Sequence, residues 1–330
     1  MKQQSTALVL GASGGIGGEL ARQLRDAGWQ VRALQRGLAS ASAWRDGIDW
    51  RRGDAMQLPD VLQAARGCAV IVHAVNPPGY RRWAELVLPM LDHTIAAACA
   101  EHATIVLPGT VYNYGTDVYP CPDEDAPQTP GTRKGALRAE MERRLQVATT
   151  GGARALILRS GDYFGPQARS SWFAQALVTP GRPVTTLTLP GAPGVGHQWA
   201  YLPDVAVCMR RLLEQRATLP AFARLHMAGH WDADGTQMAG AITRVVARHG
   251  GAEPRLRRFP WWAVKLMRRI VPLAGELHEI RPLWQHPLRL RNPRLLSVLG
   301  AEPHTPLDTA VEATLQALGC LPAPRLAAAH

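Results

Sequence analysis

Nowhere does the chain contain an apolar run of about 18 residues or more, so no membrane-spanning helix is predicted. It has no Cys-x-x-Cys pair either. Its five cysteines (Cys68, Cys99, Cys121, Cys208 and Cys320) are far apart and odd in number. That pattern argues against a disulfide framework and a structural zinc site, predicts no metal, and favours a reducing compartment, the cytoplasm. No local signature marks any of them as a nucleophile. No secretory signal is expected either, because the apolar stretch near the start runs directly into glycines and reads as a buried strand. There is no internal repeat. The basic surplus, 37 Lys and Arg against 26 Asp and Glu for a net charge of +11, never forms one solid block. Much of it lies in Arg255, Arg257, Arg258, Lys265, Arg268, Arg269, Arg281, Arg289, Arg291 and Arg294, interrupted by prolines and apolar positions. The interruption speaks against nucleic acid and leaves open a solvated surface, an anionic membrane surface or an anionic substrate.

What is present is the composition of a globular protein, 46% hydrophobic and 19% charged over 330 residues, enough for one large domain or two ordinary ones. Strands are predicted at 6–10, 29–34, 48–52, 69–73, 103–107 and 153–158. Helical patterns begin after the first glycines (Ile16, Leu20, Leu24) and recur at 83–101 and 131–148. Alternation with short connections predicts an α/β fold, a Rossmann-type doubly wound parallel sheet, because parallel neighbours need a helical crossover. The rhythm breaks near 165, where Gly, Pro and Thr predict an irregular or small-sheet insertion. A strand and a helix starting near Pro203–Asp204 follow within 197–214, then one more strand at 225–228 and a mostly helical remainder. We therefore expect a dinucleotide-binding domain over 1–164 to which 197–228 returns. A smaller, mainly helical substrate region is expected over 165–196 and 229–320, with a flexible tail at 321–330.

The strongest motif is Gly11-Ala-Ser13-Gly14-Gly15-Ile16-Gly17, placed after a strand and opening a helix. Glycines suit the tight turn, the approach of backbone to a pyrophosphate and close helix–strand packing, while the helix N-terminus offers N–H groups to phosphate. The end of the second strand reads Gln35-Arg36, with Arg32 nearby and no carboxylate. An arginine there accommodates the 2′-phosphate of NADP(H), so NADP(H) is expected over NAD(H). Asp54, after the third strand, suits an adenine amino group or simply opens a turn. His73, Ala74 and Val75 end the fourth strand at the edge where the cofactor should lie. His73 itself reads equally as a packed strand-end histidine.

Taken in order, several runs resemble the extended short-chain dehydrogenase/reductase superfamily, in particular its NAD(P)-dependent epimerase/dehydratase-like members. These are Gly11/Gly14/Gly17, Gly53-Asp54, 107–115, 158–166, 199–206 and 292–300, so that the resemblance covers nearly the whole chain. It implies an active site built from a Ser or Thr and a Tyr-x-x-x-Lys pair, a small-molecule substrate and a homodimer. Thr110 matches the hydroxyl position. The Tyr-x-x-x-Lys pair is absent, with Lys134 and Arg138 in its two places and Glu142 one turn further.

Three readings stay open. Lys134-x-x-x-Arg138 resembles the isoflavone reductase-like branch, in which a lysine takes the acid/base role, and a guanidinium one turn away would favour neutral lysine. Alternatively the chain senses or scaffolds through NADP(H) without turnover, or the helix face is an exposed ion-pair ladder. Tyr112, Tyr114 and Tyr163 are candidate replacement phenols, each with packing as the alternative. Asp204 is expected to cap its helix, and Arg159 to meet a loop carboxylate or the substrate. Trp261-Trp262 lies on an amphipathic helix with basic residues at its far end, suited to a pocket wall, the core or a membrane surface. The function expected is that of an NADP(H)-dependent oxidoreductase on a small carbonyl, alcohol or sugar-like compound. The alternatives are an epimerase or dehydratase with tightly held cofactor, or a non-catalytic NADP(H)-sensing protein.

Overall fold

The computed structural model describes residues 5–77 and 82–321; the expected tail lies outside them save for Leu321. The first strand, β1 (Thr6–Leu10), is buried from Ala7 to Leu10, as a strand covered on both faces must be. Ala7 and Val9 point to one layer of helices, Leu8 and Leu10 to the other.

Chain order then gives α1 (Gly15–Asp26), β2 (Gln30–Gln35), β3 (Ser42–Arg45), β4 (Ile48–Arg52), α2 (Leu58–Ala65), β5 (Val70–His73) and α3 (Trp83–Glu101). After these come β6 (Thr104–Gly109), α4 (Arg133–Ala148), β7 (Arg154–Arg159), β8 (Asp162–Phe164), β9 (Thr186–Leu189), β10 (His197–Tyr201) and α5 (Leu202–Glu214). The last elements are β11 (Phe222–His226), β12 (His230–Asp232), α6 (Gln237–Arg248), β13 (Arg255–Arg258), α7 (Trp261–Met267), α8 (Pro272–Ile280), α9 (Pro293–Leu299) and α10 (Leu307–Ala317).

Eight strands form the main sheet in the order β11-β7-β6-β5-β1-β2-β4-β3, parallel except for β3. This is the predicted doubly wound sheet. Helices α1 and α5 cover one face, and α2, α3 and α4 the other. Strand order reverses between β1 and β5, which places a crevice at the carboxyl edge there. A third apolar cluster joins Phe164, Phe173, Trp199, Trp284, α6 and α10 around two small sheets, β12-β10-β8 and β13-β9.

Several expectations need correction. The strand expected at 225–228 runs Phe222–His226, because its apolar residues pair with β7. The remainder after 229 is mostly helical as expected, with the short strands β12 and β13 in addition. The sequence reading missed α2 and the antiparallel edge strand β3. Asp204 does not cap α5; its carboxylate accepts from the Thr305 N–H at 2.7 Å and the Thr305 hydroxyl at 2.8 Å, tying α5 to the C-terminal segment. Among the described residues no helix is long and apolar enough to cross a membrane.

Candidate functional site

Parallel register brings the motif residues to one edge. Leu10 stands beside Leu34 and His73, Gln35 beside Arg52, and Gly109 beside Arg159. The segments that leave these strands (11–17, 36, 53–54, 74–76, 110 and 160–163) therefore share one side of the sheet.

At the β1–α1 turn Gly11 has φ of 91°, a left-handed conformation, and a Cβ there would lie 2.5 Å from the Ala74 carbonyl oxygen. A Cβ on Gly17 would drive into the Gly11 carbonyl. Both positions require glycine for space, which is why β1, α1 and the end of β5 can close so tightly. The Gly18 N–H donates to the Gly14 carbonyl at 2.9 Å. The N–H groups of Gly15, Ile16 and Gly17 precede that first helical bond and are orphan donors by helix geometry. Ser13 and Gly14 are exposed beside them. This cradle of small residues and aligned donors fits a pyrophosphate.

Past β2, Arg36 is exposed. Arg32 is committed elsewhere: it donates to the carbonyls of Ala64 and Arg66 and lies 3.6 Å from Asp49. The Asp54 carboxylate accepts from the Met56 N–H at 3.0 Å and is half-buried, so it opens a turn at the place expected to face adenine.

At the other end of the crevice His73 is buried, with Nδ1 2.8 Å from the Thr94 hydroxyl. That hydroxyl donates to the Met90 carbonyl, so it accepts from Nδ1–H and leaves Nε2 as an unprotonated acceptor. Burial, with the Arg138 charge adding to it, pushes the imidazole down to about 3. The Arg138 guanidinium lies over the Trp83 ring at 5.1 Å. It also acts on Tyr163, whose phenol is pushed up by burial while the Ser160 hydroxyl and Arg138 pull it back. Among the described residues, neither the Tyr163 nor the Ser160 hydroxyl oxygen has a hydrogen-bond partner of good geometry. His73, Arg138 and Tyr163 thus form one electrostatic group.

Lys134 belongs to a different group. It is one of three lysines in the chain and is buried at the start of α4. Its Nζ pairs with Glu276 of α8 at 2.8 Å and also meets the Glu276 carbonyl at 3.3 Å. Its backbone N–H donates to Glu279 at 3.2 Å. The α4 N-terminus, capped by Thr132, packs against the turn Val111–Asn113 that follows Thr110, where a Cβ on Gly135 would collide with the Tyr112 carbonyl. The Thr110 hydroxyl donates weakly to Asn113 at 3.4 Å.

Glu142, third on that helix face, turns into the core. It accepts from Arg159 at 2.6 Å, Asn113 at 3.0 Å and Gln128 at 2.8 Å, and pairs with Arg224 at 3.4 Å. The exposed ion-pair ladder is thereby overturned for Lys134 and Glu142, and Arg159 meets a helix carboxylate rather than a loop one. The Arg159 guanidinium also lies over the Tyr114 ring at 4.6 Å, and the Tyr114 hydroxyl is 2.7 Å from His226 Nε2.

The sequence reading missed four side chains. Asp162 pairs with His197 at 2.9 Å, and the His197 ring stacks on Trp284 at 3.7 Å. Asp162 and His197, together with Val111, Gly161 and Leu283, line a cavity beside β8. Asp162 lies inside the 158–166 run, whereas Glu276 has no sequence signal at all. Among the described residues no three His, Cys, Asp or Glu side chains gather as a metal ion would require.

A sequence model described as the NAD dependent epimerase/dehydratase family matches residues 7–224. Among solved structures, the UDP-glucuronic acid 4-epimerase from Bacillus cereus in complex with NAD superposes with a TM-score of 0.73 at 15% identity, covering 95% of this chain and 96% of that one. WbmH from Bordetella bronchiseptica in complex with NAD+ gives 0.68 at 16% identity, over 96% and 98%. MoeE5 in complex with UDP-glucose and NAD gives 0.70 at 17% identity, over 95% and 98%. These likenesses are of fold. No curated protein matches the chain by sequence.

Proposed function

Because the chain belongs to the NAD dependent epimerase/dehydratase family, we propose that it binds a nicotinamide dinucleotide along the carboxyl edge of the main sheet and oxidises or reduces a small carbonyl, alcohol or sugar-like compound. The observation that carries this reading is the shared edge: the β1–α1 cradle, Arg36 and the His73–Arg138–Tyr163 group lie in the order a dinucleotide would need from pyrophosphate to either end.

In this reading the N–H groups of Gly15, Ile16 and Gly17 hold the pyrophosphate, with Ser13 and Gly14 at the turn. Asp54 faces the adenine, and His73, Ala74 and Val75 back the nicotinamide side. Arg36 selects NADP(H), although the similar structures are described with NAD. Bound nicotinamide supplies or accepts two electrons. The residues of this chain do the rest. Arg138 orients the nicotinamide ribose, Thr110 positions the substrate oxygen, and buried Lys134 gives or takes the proton with half-buried Glu276 as its counter-charge. Tyr163 offers a second hydroxyl to the substrate.

Calorimetric titration with NADP(H) and NAD(H) tests the cofactor. A charge-assisted phosphate contact is worth about 1.5–3 kcal/mol, so Arg36→Ala should weaken NADP(H) about ten- to hundredfold and leave NAD(H) unchanged. Equal loss for both nucleotides would remove the selectivity role. Lys134→Ala should abolish turnover with cofactor affinity nearly intact, and full activity would end its assignment.

Epimerase chemistry by transient oxidation is the second reading, favoured by the structural likeness to UDP-sugar 4-epimerases. Nucleotide that copurifies with the protein and resists dialysis would support it over a dissociating reductase. Tight binding without turnover across broad substrate panels would instead support a sensor, the reading that the missing Tyr-x-x-x-Lys pair favours.

A further inference from the structure

Helix α7 is apolar on two opposite sides, and among the described residues only one of them is covered. Inward, the Trp261 indole N–H donates to the Pro190 carbonyl at 2.7 Å, its ring meets Phe259 and Trp172, and Val264 is buried. Outward, Trp262 and Leu266 are each 74% exposed, and Ile270 in the following turn is 83% exposed. Spacing of four puts these three on one stripe. Met267 beside them is 46% exposed. Four of the eight large hydrophobic side chains exposed among the described residues therefore come from nine consecutive positions, 262–270. Scattered exposed hydrophobics need no explanation, whereas a stripe of this kind marks a contact surface.

Charge identifies the occupant. Lys265, Arg268 and Arg269 line the same shallow hollow as Trp262 and Leu266. Arg268 also donates to His278 at 2.8 Å. Exposed β13 adds Arg255, Arg257 and Arg258, so that residues 254–275 hold six basic side chains and no acidic one. A second copy of the chain meeting this face through a twofold axis would set like charge against like charge. Nucleic acid would answer the arginines and leave the Trp–Leu–Ile stripe wet. A lipid surface satisfies both, with tryptophan and aliphatic side chains entering the headgroup boundary while the cations meet anionic headgroups.

We propose that α7 and the turn after it form an interfacial anchor that seats the protein on an anionic bilayer surface through Trp262, Leu266 and Ile270, flanked by Lys265, Arg268 and Arg269. The anchor is peripheral and spans nothing. It also lies directly before α8, whose Glu276 holds Lys134, so docking would bring one wall of the proposed catalytic cleft close to the lipid.

Cosedimentation of the full chain with vesicles tests this, using phosphatidylcholine alone and phosphatidylcholine with about one-third phosphatidylglycerol. We expect binding to the anionic vesicles, weakened by raised salt, and loss of at least about tenfold in W262S/L266S/I270S. The charge variant K265E/R269E should lose binding as well, while both variants keep wild-type circular dichroism and nucleotide affinity. Wild-type protein remaining in the supernatant with anionic vesicles would overturn the proposal. Equal binding to neutral vesicles, or undiminished binding by the apolar variant, would overturn it too. A dimer in analytical ultracentrifugation that W262S/L266S/I270S dissolves, without vesicle binding, would assign the face to self-association instead.

Discussion

Lowering the pH from 7 to 5 should destabilise the fold through three buried histidines. His73, His226 and His230 are 2%, 0% and 8% exposed, and burial pushes their imidazoles down to about 3, 3 and 4. The Arg138 charge adds to the effect at His73, Arg159 and Arg224 at His226, and His304 at His230. In the unfolded chain each would titrate near its ordinary value of about 6.5. Between roughly pH 6.5 and these depressed values the unfolded state binds more protons, so acid favours unfolding in that window. Stability from this source is complete above about pH 6.5 and is lost as pH falls. At pH 5 each histidine contributes about 1.5 units times 1.36 kcal/mol, or about 2 kcal/mol, and the three together about 6 kcal/mol. A domain is typically stable by only about 5–15 kcal/mol, so the loss would be a large share. Urea titrations at fixed ionic strength and pH 7, 6 and 5 would measure it, together with an uptake of about three protons on unfolding at pH 5. His226→Gln should remove about a third of the slope. A stability that stays flat from pH 7 to 5 would refute the reasoning, since carboxylates titrate mainly below this window.

Other perturbations probe single contacts. Glu142→Ala strands Arg159, which has no exposed surface, and should cost about 3–5 kcal/mol. With about 2.1 cal/mol/K of unfolding entropy per residue, that is a Tm lowered by about 4–7 °C in scanning calorimetry. A shift under about 1 °C would mean the network repacks around the loss. Gly17→Ala forces a methyl into the Gly11 carbonyl and should raise the Kd for dinucleotide by at least about tenfold. Unchanged affinity would show that the turn can relax without the cofactor noticing.

The sheet was legible because its strands are short apolar runs bounded by glycine and joined by helices, and β1, β4, β5, β6 and β7 lie within two residues of where pattern reading put them. The glycine turn was legible for the same local reason. What could not be read were partnerships between distant segments. Spacing placed Lys134, Arg138 and Glu142 on one face of α4, yet each faces different company: Glu276, then His73 and Tyr163, then Arg159. Helical periodicity fixes which residues share a face and says nothing of what packs against each turn. The Asp162–His197–Trp284 cluster was hidden likewise, since its members come from β8, β10 and the stretch after α8. Trp261 and Trp262 were one feature in sequence and two in space, one in the core and one in solvent.

The Lys134–Glu276 pair has a consequence for the order in which the protein becomes complete during synthesis. Its partners are 142 residues apart in the chain. At a translation rate of about 5–20 residues per second, roughly 7–28 s separate their emergence from the ribosome. The β1–α1 cradle is finished long before either. A nascent chain therefore acquires the means to hold nucleotide first and the counter-charge of its buried lysine last. A product cut short before α8 would keep the cradle and carry Lys134 without that carboxylate.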